Sequence, residues 1–206
     1  MTEENLNSRF EAFCDGVFAI AITLLVIDIR FPSTVVIKST AELWREISHI
    51  IPSVFSFLLS FAVILITWVN HHNGSKLLKK TSNAFLYANG FLMLTIVFIP
   101  FPTSLLGEYL LTGYAAPAVI LYDSVLALQA IGWIFISKAA LKDHLGKNET
   151  ANYEIRKNGN IAYFALVLYS LCSILANWFP LAVASFTTLT WIFWLIMGIK
   201  INSKEN

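Results

Sequence analysis

The groups in this sequence best placed to do chemistry are polar side chains set in apolar surroundings. Asp15 stands in the run Phe13-Cys14-Asp15-Gly16-Val17-Phe18-Ala19-Ile20-Ala21-Ile22. That places it roughly two turns inside an apolar helix, where a lone carboxylate costs about 2.5 kcal/mol or more. It must therefore face protein and find a partner. Two roles meet that need: a proton or ion site, or a polar staple that locks helices together, the staple being the simpler. Trp68, His71 and His72 close the second apolar segment, and Asn83 and Asn89 open the third, all near the depth of Asp15. Adjacent histidines project about 100° apart on a helix and cannot both address one site. Metal pairs use a four-residue spacing instead, so a hydrogen-bond network without metal is expected here. Cys14 and Cys172 lie in apolar stretches with no partner at disulfide or metal spacing, and read as small buried thiols. No nucleophile–base pair emerges, which weighs against an enzyme.

The elements that must position these groups follow from composition. Of 206 residues, 57% are apolar and 13% charged, with a formal net charge of +1. Too few polar side chains exist to cover a water-facing surface, so lipid is the better solvent, and no basic excess points to nucleic acid. Spanning hydrocarbon takes about 20 apolar residues as a helix. Six segments qualify: 9–30, 49–70, 83–106, 116–138, 159–179 and 181–200. The expected fold is thus all-α, one membrane domain over residues 1–206. Pro100 and Pro102 should distort or shorten the third helix, and Pro180 forces a tight turn between the last two. The 31–48 connection carries Thr40-Ala41-Glu42-Leu43-Trp44-Arg45, a candidate short interfacial helix.

Eleven of the fourteen Lys and Arg residues fall on the side that holds the N-terminus and three on the other. Both termini are therefore expected in the cytoplasm. Two motif fragments carry no function. Asn148-Glu149-Thr150 fits a glycosylation sequon but falls on the cytoplasmic side. Thr112-Gly113-Tyr114 is a fragment of a potassium-filter signature in a loop too short for a pore helix, and reads as a turn. The absence of an internal repeat weighs against a transporter of two inverted halves.

Along the first helix, Phe13, Val17, Ile20, Leu24, Ile27 and Phe31 share one stripe at about 100° per residue. Asp15 points roughly 150° from the middle of that stripe, and Thr23 sits on its shoulder. Periodicity leaves lipid-facing, packing and pore-lining roles open.

Arg9-x-x-x-Phe13-Cys14-Asp15, continued by Gly16-Val17-Phe18-Ala19-Ile20-Ala21-Ile22-Thr23-Leu24-Leu25, resembles the R-x-x-x-F-S-D signature of the transmembrane protein 175 family of lysosomal and bacterial potassium channels. Cys14 stands where serine is usual, so a weaker thiol contact replaces the hydroxyl. Trp68…His71-His72 and the six-helix layout also fit. The resemblance implies a bacterial-type homotetramer whose first helices line a central pore. It places the constriction at Ile20, Leu24 and Ile27, and a potassium-favouring hydroxyl ring at Thr23. It assigns Arg9, Cys14 and Asp15, with Trp68, His71, His72 and Asn89, to a structural polar network behind the pore. A narrow ring of branched apolar residues can gate by expelling water. The implied function is a potassium-permeable cation channel of a bacterial inner membrane, of modest selectivity, with potassium ions, lipid and its own copies as partners and no cofactor. The alternatives are proton conduction through the same pore and, from other classes, an ion-coupled secondary transporter or a metal-dependent membrane enzyme.

Overall fold

Apolar runs of this length have one stable form in lipid when they stand singly, because a helix satisfies its own backbone hydrogen bonds. The computed structural model describes residues 3–31 and 36–202, and among these are eight α-helices, seven for the six long segments and one in the 31–48 connection. The first, α1 (Glu3–Leu24), passes into a 3₁₀ turn at Leu25–Asp28 rather than running as α-helix to residue 30. The β-branched pair Val26-Ile27 weakens the α-helix there. The Arg30 side chain donates from Nε to the Ile27 carbonyl at 3.4 Å.

The connection then rises into α2 (Thr40–His49), which buries none of its residues within the chain. Its start is fixed reciprocally: Ser39 Oγ accepts the Glu42 N–H at 3.2 Å, and the Glu42 carboxylate accepts the Lys38 N–H at 2.6 Å. One residue later α3 (Ile51–Ser75) begins, with Pro52 in its first turn, where a missing N–H costs nothing. It runs past residue 70 to Ser75, so His71 and His72 are helical and His72 lies in its last turn.

The third segment is two pieces, α4 (Asn83–Phe98) and α5 (Pro100–Tyr109), broken at Ile99. Pro100 has no N–H to offer the Ile96 carbonyl, which takes the Ile99 N–H at 3.2 Å instead. The Ile99 carbonyl itself accepts twice from Thr103, from its N–H at 3.1 Å and from its Oγ1 at 2.7 Å.

The remaining helices are α6 (Ala115–Lys142), α7 (Glu149–Leu175) and α8 (Pro180–Asn202). α7 starts ten residues before the expected 159 and stops short of 179. Its first turns are too polar to read as a span, yet Asn148 caps them by accepting the Ala151 N–H at 2.8 Å. That cap is the structural role of the sequon asparagine. The segments Ser8–Ile27, Thr40–Ser75, Asn83–Tyr109, Ala115–Lys142 and Glu149–Leu175 are long and apolar enough to cross a membrane, and α8 runs 23 residues.

At the centre lies α6, packed against α4, α5, α7 and α8, while α1 lies across α3 and α4. Close approach depends on small residues. A Cβ on Gly107 would stand 2.8 Å from Ser53 Cα, and one on Gly132 3.1 Å from Leu92 Cα. The α3–α4 and α6–α7 loops are joined by Lys79 N–H to Leu145 O and Lys147 N–H to Leu77 O, both 2.9 Å.

Candidate functional site

Two faces of α1 have opposite fates. Cys14, Phe18, Ala21 and Leu25, spaced four, three and four apart, are buried against α3 and α4. On the other side Ile20 is 59%, Leu24 39% and Ile27 57% exposed within the single chain, and Phe13 and Phe31 are exposed with them. Val17 is half-buried at the edge of that stripe. The change to 3₁₀ geometry does not disperse it, because residues three apart eclipse in a 3₁₀ helix and Ile27 follows Leu24 on the same line.

Thr23 is exposed beside the stripe. Its Oγ1 donates back to the Ala19 and Ile20 carbonyls at 3.0 and 2.9 Å. With the hydroxyl hydrogen engaged by the helix, the oxygen presents only acceptor lone pairs outward.

Behind α1, polar groups from three helices form two short chains. Asp15 accepts the Trp68 Nε1–H at 2.8 Å, and the Trp68 ring stacks on His72 with centroids 5.9 Å apart at 22°. Asn89 Nδ2 donates to Cys14 Sγ at 3.1 Å, and Asn89 Oδ1 meets His71 Nε2 at 2.7 Å. An amide oxygen only accepts, so His71 Nε2 carries the hydrogen. Phe18, Phe10 and Trp133 surround the buried His71 ring at centroid distances of 5.5, 6.0 and 6.3 Å. The two histidines thus diverge, one into this aromatic box and the other onto the indole. Arg9 and Asn83 lie exposed at the starts of their segments, and among the described residues no hydrogen bond joins either to the network.

One buried acid escaped the sequence reading. Asp123 is fully buried in the first third of α6, where Oδ1 accepts the Thr187 Oγ1–H at 2.9 Å and Oδ2 has no hydrogen-bond partner among the described residues. The signal was available, since Asp123 is the one charged residue between Ala115 and Ser137. Further cross-helix pairs join Ser60 to Thr103 at 2.6 Å and to Tyr122 at 3.1 Å, and Gln129 to Thr67 at 3.0 Å. These fasten the interior of the chain, and they leave the α1 stripe uncovered among other exposed apolar faces.

Residues 9–100 match the family model described as endosomal/lysosomal potassium channel TMEM175. The chain is 42% identical over 154 residues to a potassium channel of Chamaesiphon minutus, an alignment covering 74% of this chain and 75% of that protein. A potassium channel of Chryseobacterium is 27% identical over 200 residues, covering 96% and 98% of the two chains. Among solved structures, the crystal structure of a lysosomal potassium-selective channel TMEM175 homolog from Chamaesiphon minutus superposes with a TM-score of 0.82 at 34% identity, covering 94% of this chain and 98% of that one. The potassium channel MtTMEM175, solved as a variant in complex with a nanobody fusion protein, shares the fold with a TM-score of 0.64 at 18% identity, covering 95% and 93%.

Proposed function

Because the chain belongs to the TMEM175 family of potassium channels, we propose that it conducts potassium through a central pore of a homotetramer, gated by the α1 stripe. The observation that carries this reading is the exposure of Ile20, Leu24 and Ile27 on a helix whose opposite face is held by Cys14–Asn89 and Asp15–Trp68 contacts. Closed rotational symmetry would bring four copies of that stripe around one axis. Three stacked rings of branched apolar residues form a neck that expels water and blocks ions until it widens. Thr23, one residue before Leu24, would set a ring of outward lone pairs beside the neck, a hard-oxygen surface suited to a desolvating potassium ion. Such a pore has no carbonyl filter, so its preference for potassium over sodium is modest. The polar network of Cys14, Asp15, Trp68, His71, His72 and Asn89 holds α1 at a fixed azimuth and takes no part in conduction. Arg9, exposed in the single chain, is left out of that role.

The same reading puts the protein in the inner membrane of a bacterium with both termini cytoplasmic. Eleven of fourteen basic residues lie on that side. The pairing of Leu77 with Lys147 supports the count, because it brings Lys76, Lys79 and Lys80 to the same side as Lys142 and Lys147.

The test is electrical. Purified protein in planar bilayers under a potassium gradient should pass current, and Ile20→Asn, which lets water remain in the neck, should raise conductance several-fold and weaken discrimination against sodium. Unchanged conductance and selectivity would remove the gate from Ile20. Current at a pH gradient without potassium separates proton conduction through the same path.

A further inference from the structure

The first half of α7 presents an uncovered face with a graded chemistry. Tyr153, Arg156, Lys157, Asn160, Ile161 and Phe164 recur at three- and four-residue intervals and line a cavity of about 560 Å³. Trp194 of α8 closes its side. A volume of that order holds a small organic group, within the roughly 300–1,000 Å³ range of ligand sites.

Depth gives the cavity its meaning. The two helices meet at the Leu175–Pro180 turn, beside Trp178, an aromatic suited to the headgroup level. Counting back from Leu175 at about 1.5 Å per residue, Ile161 lies about 21 Å and Arg156 about 28 Å along α7. Counting forward from Pro180, Trp194 lies about 21 Å along α8, level with Ile161. Since the hydrocarbon is about 30 Å thick, Arg156 and Lys157 stand at the opposite headgroup level, and Ile161, Phe164 and Trp194 lie among acyl chains just beneath them.

We infer that this α7–α8 cavity binds one anionic phospholipid, its phosphate on Arg156 and Lys157 and its acyl chain along Ile161, Phe164 and Trp194. Arg offers a planar fork of donors matched to phosphate oxygens, and Lys adds a second positive charge one residue on. Lys157 spends that charge on Glu154 at 3.3 Å, but both side chains are well exposed, so the pair is weak and readily exchanged for a phosphate. Tyr153 and Asn160 flank the cations with hydrogen-bonding groups at the same level. A soluble anion would leave the apolar half of the cavity without a complement, and a neutral lipid would leave the charges without one.

The experiment is native mass spectrometry of the full-length protein in detergent with equal phosphatidylglycerol and phosphatidylcholine. Two cations at a lipid surface are worth up to about thirtyfold. With Lys157 shared with Glu154, the parent should retain phosphatidylglycerol about tenfold over phosphatidylcholine. Arg156→Gln combined with Lys157→Gln should bring that ratio near unity while the assembly mass and thermal midpoint stay unchanged, since both residues are exposed. A second readout uses Phe164→Trp, whose added fluorescence should be quenched more by brominated phosphatidylglycerol than by brominated phosphatidylcholine. Equal retention of the two lipids by the parent, a preference that survives the double substitution, or equal quenching by the two lipids overturns the site. So would a contact between copies covering this face.

Discussion

Asp15 accepts one strong hydrogen bond, from Trp68 at 2.8 Å, and the indole that supplies it is steadied from the far side by the His72 ring. Removing the donor should therefore cost more than removing the charge. Trp68→Phe keeps most of the ring's packing but leaves the carboxylate without its donor, a loss of about 1–3 kcal/mol. Asp15→Asn retains an acceptor oxygen for the same N–H and should cost less than half as much. Thermal unfolding in detergent measures both, and equal losses would show that the bond does not hold α1. How far this cluster is legible in the sequence follows from depth. Trp68, His71, His72 and Asn89 lie at the level of Asp15 when residues are counted along each span, so the set could be named. Which of them meets which depends on the rotation of each helix about its axis, and that is fixed by packing between helices, not by spacing within one. Arg9 illustrates the limit, since a motif places it with the cluster and the folded single chain leaves it exposed. Asp123 illustrates the opposite, an acid whose apolar surroundings were as plain as those of Asp15.

Among the elements, the proline break and the early start of α7 separate what pattern can and cannot give. Pro100 and Pro102 ended α4 where backbone chemistry requires it. The polar turns at Glu149–Asn158 escaped because hydropathy reports where a helix is buried in lipid, while a capped helix continues into water at little cost. Helix proximity was also hidden. Gly107 sits where a Cβ would stand 2.8 Å from the Ser53 backbone, so α3 and α5 must part to admit even alanine. Gly107→Ala is expected to destabilise by about 1–3 kcal/mol, the range for overpacking a tight contact. Gly113→Ala, in the α5–α6 turn with open space around it, should fall within about 0.5 kcal/mol of the parent. The difference between the two in thermal midpoint is the measurement, and similar midpoints would mean the α3–α5 contact is loose.

For the molecule as a whole, the decisive asymmetry is that α1 is tied on one side and bare on the other. Lipid can cover a bare apolar face as readily as a second protein can, so the exposure of Phe13, Ile20, Leu24, Ile27 and Phe31 does not by itself require a partner. The polar network changes the balance. It holds α1 in one azimuth through Cys14 and Asp15, a specificity that a helix merely facing lipid has no need of. A shared axis also predicts something lipid does not: residues on the stripe must lie near their own copies. Cys14 and Cys172 are buried, so a cysteine introduced on the surface reports with little background. Ile20→Cys treated in nanodiscs with a short bifunctional maleimide should yield covalent dimers, from particles whose mass is four times the 23.1 kDa chain. Val167→Cys, exposed on α7 away from the stripe, should stay monomeric under the same treatment. Cross-linking at Val167 in place of Ile20, or a particle of one chain, would sink the central pore, because a single α1 cannot enclose an axis. Cross-linking at Ile20 alone would put the apolar stripe where four copies meet, and give the neck the rings that dewetting needs.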